Sequence, residues 1–224
     1  MRSFEARTDA AVVDEPFYAA YLVKTGLNHP LRDAVIASQP NDWQDVVKAL
    51  IGTVPGGKPI YYQKHMTHHM LESFDVNWMD QMRNAFLIRD PREVLASYVL
   101  KRAAVTLPDI GIVRQRELFE READRLGTAP PVIDGASVLA DPARALARLC
   151  EALRIPYRDA MLHWPAGRRT TDGVWAPAWY DAVERSTGFS KAPALKEIPL
   201  PGELWKIAEQ ADPHYQVLAA HRLM

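Results

Sequence analysis

The chain carries a single cysteine, Cys150, so it cannot close an internal disulfide, and a reducing compartment is the natural expectation. It holds no apolar run long enough to span a bilayer. Its opening residues, MRSFEARTDAA, lack the apolar centre of a secretory signal. We therefore expect a cytoplasmic protein with no membrane partner. Positive charge is not in excess either: 27 Lys and Arg stand against 28 Asp and Glu, a formal net charge of −1. That balance argues against a nucleic-acid binder and leaves room for a local basic pocket that takes a small anion. Internal repeats and low-complexity segments are absent. What is present, 48% apolar and 25% charged residues over 224 positions, is the balance of an ordinary globular protein.

Short β-like runs alternate with helical stretches, which predicts a layered α/β domain. The first run, Ala10 to Val13, ends in Asp14-Glu15-Pro16. NDWQDVVKAL reads as a helix with Asn41 or Asp42 at its cap. A turn at Gly56-Gly57 precedes a strand over 59–63, VNWMDQM reads as helical, and Ala85 to Ile88 reads as the next strand. Pro91 fits the first turn of the following helix. RQRELFEREADRLG is an amphipathic helix stopped by Gly127. PPVIDGASVL reads as a fourth strand, and a helix capped by Asp141 and opened by Pro142 carries Cys150 as a small hydrophobe. From about 165 to 201 the chain is rich in Pro, Gly and Trp and lacks a clean period, which predicts a packed lid held by Trp175 and Trp179. The final helix begins at GELWKIAEQ. One domain over 1–224 is expected.

The stretch NAFLIRDPREVLASYVL puts Arg89 where a strand becomes a helix and Ser97 eight residues further on. Ligands of parallel α/β sheets bind at the carboxyl ends of strands, where helix N-termini favour anions. A guanidinium fork and a hydroxyl converging there suit a phosphate. The plainer alternative is that Arg89 pairs with Asp90 or Glu93 on the surface.

The order of these residues, FLIRDPREVLASY, resembles the 3′-phosphate motif of sulfotransferases that use 3′-phosphoadenosine 5′-phosphosulfate (PAPS). In that family a strand ends in Arg, and a Ser follows eight positions later. The resemblance assigns Arg89 and Ser97 to the 3′-phosphate and leaves Arg92 and Glu93 on the helix surface. VVDEPF is similar to the family's second-strand segment, which often ends in Glu-Pro. PPVIDGASVLADPARALARLCEALRIPY is similar to its late strand and helix. Together these cover roughly residues 8 to 190. The implied fold is three-layered, with a central, mainly parallel sheet of about four to five strands, the P-loop-like sulfotransferase fold.

YYQKHMTHHMLE brings Lys64, His65, His68 and His69 close together. A metal site at His65, His68 or His69, and Glu72 would need all of them on one helical face. The strand over 59–63 takes His65 off that face, so no metal is assigned. His68 and His69 read as polar residues of a loop and helix start. Transfer of a sulfuryl group needs a base for the acceptor proton and a cation for the charge on the leaving oxygen. Sulfotransferases supply the base as a histidine at this strand end, which makes His65 the candidate base and Lys64 the candidate transition-state contact. The Lys-His spacing departs from the family pattern. GRRTTDG loosely resembles the family's late Arg-Lys-Gly loop, so Arg168 and Arg169 are candidates to help hold the 3′-phosphate.

The resemblance also implies a first strand and a Gly/Ser/Thr-rich loop for the 5′-phosphosulfate, which this sequence lacks. MRSFEA looks like the middle of the helix that follows that loop, and Met1 reads as an internal methionine of a longer protein. The leading expectation is sulfuryl transfer from PAPS to a hydroxyl or amine of a small-molecule acceptor. Its alternatives are a nucleotide-binding homologue that lost the chemistry and, with no GxxxxGK[ST] loop in its favour, a small-molecule kinase. Neither acceptor identity nor oligomeric state is legible.

Overall fold

The computed structural model describes residues 1–99, 105–190 and 200–223. The chain divides into two compact units, one of Met1–Gln81 with Arg158–Phe189, the other of Met82–Tyr157 with Ser190–Met224.

The first unit opens with a short helix α1 (Arg2–Glu5) and strand β1 (Ala10–Asp14). Helices α2 (Tyr18–Thr25), α3 (Arg32–Ser38) and α4 (Trp43–Ile51) follow, and then strand β2 (Ile60–Lys64). Gly26, in the left-handed region at φ 69°, ends α2 and passes its N–H back to the Leu22 carbonyl. Asp42 caps α4 by accepting from the Gln44 N–H. β1 and β2 pair in parallel, Ala10 opposite Ile60 through Asp14 opposite Lys64, so both strands end at one edge. The later segment of this unit adds α9 (Ala176–Trp179) and α10 (Asp181–Arg185). Trp175 is 2% exposed and packs with Tyr18, Ala19, Tyr21, Leu22 and Val35 as one core. The glycine two residues before it has no room for a side chain, because a Cβ on Gly173 would stand 2.2 Å from the Trp175 ring.

The second unit holds β3 (Phe86–Ile88), α5 (Pro91–Val99), α6 (Ile112–Leu126), β4 (Val132–Asp134), α7 (Gly135–Ala140), α8 (Pro142–Ala152) and α11 (Gly202–Ala219). β3 and β4 pair in parallel, Phe86 with Val132 and Ile88 with Asp134. Leu95 and Val105 pack with Leu204 and Ala208 of α11. Glu122 is fully buried and is held by Asn84 (2.8 Å) and Arg125 (2.7 Å). Cys150 is likewise fully buried on α8, as expected of a small hydrophobe.

The fold is α/β with parallel strands, as the sequence predicts, and among the described residues its strands number four. They form two parallel pairs, each a two-stranded sheet of its own, where one central sheet was expected. β3 and β4 are only three residues long, because Arg89 and Gly135 turn the chain at once toward helices. Two local expectations change. The fourth strand stops at Asp134, whose carboxylate accepts from the Ala136 N–H and starts α7, so GASVL is helix. The stretch 77–81 is a 3₁₀ turn. Of the expected lid over 165–201, residues 191–199 lie outside the described residues, and 165–190 packs around Trp175 as just described.

Candidate functional site

Because β1 and β2 run in parallel and in register, the residues that close them meet. Lys64 Nζ donates to Asp14 Oδ1 (3.0 Å), to Glu15 Oε1 (2.6 Å) and to Tyr180 Oη (2.8 Å). Tyr180 Oη in turn donates to Asp14 Oδ2. The ammonium also stands 5.3 Å from the Tyr180 ring centroid, in cation–π range. Burial works against the charge on Lys64, but Glu15, Tyr180 and Asp14 outweigh it and raise its pKa well above the usual lysine value. Burial raises the Glu15 pKa, with Lys64 opposing.

Glu15 holds its carboxylate there from an uncommon backbone, φ 44°. The surroundings over-determine it. Its N–H donates to the Lys64 carbonyl (2.8 Å), and its own carbonyl accepts from the Tyr18 N–H (3.0 Å) and the Gln39 amide (3.2 Å).

His65 follows directly. Gln63 Nε2 donates to the Leu50 carbonyl (2.9 Å), which makes Gln63 Oε1 the acceptor for His65 Nε2 at 3.2 Å. The proton of the neutral ring is thereby placed on Nε2, and Nδ1 keeps a free lone pair. That Nδ1 is buried and has no hydrogen-bond partner among the described residues. The ring lies 5.3 Å from Trp78 and 5.7 Å from Phe17, centroid to centroid. Burial, with help from the Lys64 charge, lowers the His65 pKa to about 4.

His69, read from the sequence as a polar residue of a loop and helix start, is 2% exposed and stacks on Tyr18 at 4.4 Å, with its Nδ1 3.9 Å from Glu15 Oε2. Among the described residues no cluster of His, Cys, Asp or Glu could hold a metal. An open groove of about 450 Å³, lined by Ala20, Val23, Lys24, Trp43 and Phe74 among others, includes neither Lys64 nor His65.

In the second unit Arg89 stands at the end of β3 with its side chain half exposed, 3.3 Å from Glu93 one helical turn on. Ser97 is exposed on the second turn of α5. Arg92 is tied to Asp90 and holds that carboxyl below its usual pKa. The pairing of Arg89 with Glu93 is the plainer alternative foreseen from the sequence, but it is an exposed contact that costs little to exchange. In the first unit Arg169 donates to the Pro165 carbonyl (2.7 Å) and its N–H to Asp172 (2.7 Å), while Arg168 is exposed. Asp14, Glu15 and Tyr180 are the residues missed from the sequence as site members. The Asp-Glu-Pro within VVDEPF is the one sequence signal for the first two.

A family model described as "Sulfotransferase domain" matches residues 1–221. The chain belongs to the sulfotransferase domain family. Two Arabidopsis thaliana proteins resemble this sulfotransferase domain along its length. Branched-chain-amino-acid aminotransferase-like protein 2 is 34% identical over 221 residues, and protein 1 of the same name is 36% identical over 222. Each alignment takes in 99% of this chain and 39% of the relative, so the domain spans about two fifths of the length of these curated relatives. Among solved structures, the sulfotransferase domain from the curacin biosynthetic pathway is 15% identical, covering 88% of this chain and 78% of that one, with a TM-score of 0.44. The sulfotransferase domain of the Synechococcus PCC 7002 olefin synthase is 16% identical, covering 89% and 74%, with a TM-score of 0.49. No helix of the described domain is long and apolar enough to cross a membrane.

Proposed function

We propose that the domain transfers a sulfuryl group from PAPS to a hydroxyl or amine of a small-molecule acceptor. The observation that carries the reading is the adjacency, at the end of β2, of a cation and a neutral imidazole whose Nδ1 has no partner among the described residues. A sulfuryl transfer uses both. His65 takes the acceptor proton on Nδ1 as the acceptor oxygen or nitrogen bonds to sulfur. Lys64 meets the negative charge left on the 5′-phosphate oxygen when its bond to sulfur breaks. Arg89 and Ser97 hold the 3′-phosphate, with Arg168 or Arg169 adding charge. These side chains supply the electrostatic work without assigning any step to a metal.

A second reading, a nucleotide-binding homologue that no longer transfers, draws on one observation: all three N–H groups of Lys64 are already spent on protein partners. Calorimetry with adenosine 3′,5′-bisphosphate tests the nucleotide site common to both. We expect binding that Arg89→Ala weakens more than about tenfold, the value of a charge-assisted contact. Equal affinity for nucleotides with and without a 3′-phosphate would sink the assignment. Turnover of PAPS with an acceptor amine or alcohol, abolished in His65→Ala while bisphosphate binding persists, separates the enzyme from the homologue.

A further inference from the structure

We infer that Tyr180 is a positioning residue whose hydroxyl keeps, on Lys64 Nζ, the place that a ligand oxygen takes. The inference rests on the reading of Lys64 as the cation that meets the leaving oxygen. An ammonium has three N–H groups, and all three of Lys64 are used, by Asp14, Glu15 and Tyr180. A ligand oxygen can reach Nζ as a full partner only when one of these lets go.

The three exchanges are unequal. Releasing Asp14 or Glu15 takes the ammonium contact from a carboxylate whose side chain is 1% or 11% exposed, and weakening a buried ion pair costs more than giving up a neutral hydrogen bond. Tyr180 is neutral, since burial chiefly holds its phenol protonated. Its own proton goes to Asp14 Oδ2, so after releasing Nζ the hydroxyl still has a partner. Its ring lies beside the ammonium and keeps that attraction when the N–H has turned away. The hydroxyl is therefore the partner that yields. Its present position, 2.8 Å from Nζ, is the position of the incoming anion oxygen. Until then it occupies the third N–H of an ammonium whose side chain is 27% exposed.

The anchoring of the phenol fits this role. Tyr180 directly follows α9, and Trp175, on the other side of that helix, is locked into the core. Thus the ring is fixed while the hydroxyl needs only a small movement to change partners.

The test is an affinity that should rise on mutation. Inorganic sulfate, titrated by calorimetry, should bind Tyr180→Phe about 3- to 10-fold more tightly than wild type, because the free N–H no longer has to give up a bond. Lys64→Met should remove that binding from both backgrounds. A purely structural tyrosine would leave affinity unchanged or lowered, and either result in a folded variant overturns the inference. So does the absence of Lys64-dependent sulfate binding to Tyr180→Phe. If that variant does not fold, wild type decides. With ring-labelled tyrosine, one of the eight Cζ carbon signals should move with the calorimetric Kd of sulfate. Sulfate binding that moves none of them overturns the inference. Adenosine 3′,5′-bisphosphate run alongside keeps the two readings apart: failure of the nucleotide to bind, with sulfate still tighter on Tyr180→Phe, removes the nucleotide assignment and leaves the role of Tyr180 standing.

Discussion

Protonating His65 means placing a second positive charge beside Lys64, against the rings of Phe17 and Trp78. The pKa falls from 6.5 to about 4, so between those values the unfolded chain holds a proton that the folded chain refuses. Stability from this residue is complete above about pH 6.5 and is lost as pH falls through about 4. Urea denaturation from pH 7 to 4 should show the loss, and His65→Asn should reduce it by about 1–3 kcal/mol. A variant that keeps the wild-type slope would assign the protons to another group, of which His69, also lowered, is the first to examine. The Lys64 and His65 pair was legible because both residues sit in one short stretch after a recognisable strand. Tyr180 was not, since 116 positions separate it from Lys64 and only the folded chain brings them together. Glu15 left a trace in Glu-Pro, but its left-handed backbone follows from the Tyr18 and Gln39 contacts, which no local pattern encodes.

At the level of elements, β4 and α7 shape the end of β3 through a missing side chain. A Cβ on Gly135 would meet Arg89 Cγ at 3.0 Å and the Ile88 carbonyl at 3.5 Å. Gly135 takes an ordinary backbone at the start of α7, so alanine fits the helix and the half-exposed Arg89 must give way. We predict that Gly135→Ala leaves the melting temperature unchanged or slightly raised. The same variant should weaken adenosine 3′,5′-bisphosphate roughly 2- to 5-fold, the cost of a displaced hydrogen-bonding group. Full wild-type affinity would show that the Arg89 stem has no fixed path. The strand-to-helix step at Arg89 was readable from an apolar run followed by Asp-Pro, which stops one element and starts the other. At β4 the apolar residues continued past Asp-Gly, and the strand was read too long because the capping role of Asp134 competes with that pattern only over one residue.

On the scale of the whole chain, layer type and parallel pairing followed from the alternation of elements, whereas the number of sheets did not. Sheet continuity depends on backbone pairing between segments far apart in sequence, and periodicity carries nothing about it. The same limit hid the discontinuity of both compact units, each of which takes a late segment to complete it. For the second unit that segment is α11, which buries Leu204, Ala208, Ala211 and Leu218. Ending the chain at Leu200 should therefore cost about 3–6 kcal/mol at roughly 1.5–3 for each of the two buried leucines, read as a fall in the urea midpoint. A midpoint within error of wild type would contradict the packing of α11 on α5 and α6. The fully buried Cys150 turns the same question into kinetics. As the one thiol in the chain, it can meet a disulfide reagent only when α8 lifts from its seat, so the labelling rate is a stopwatch for that opening. Cysteines placed at exposed positions would react at once, and the chain can carry dyes with its native thiol left in place.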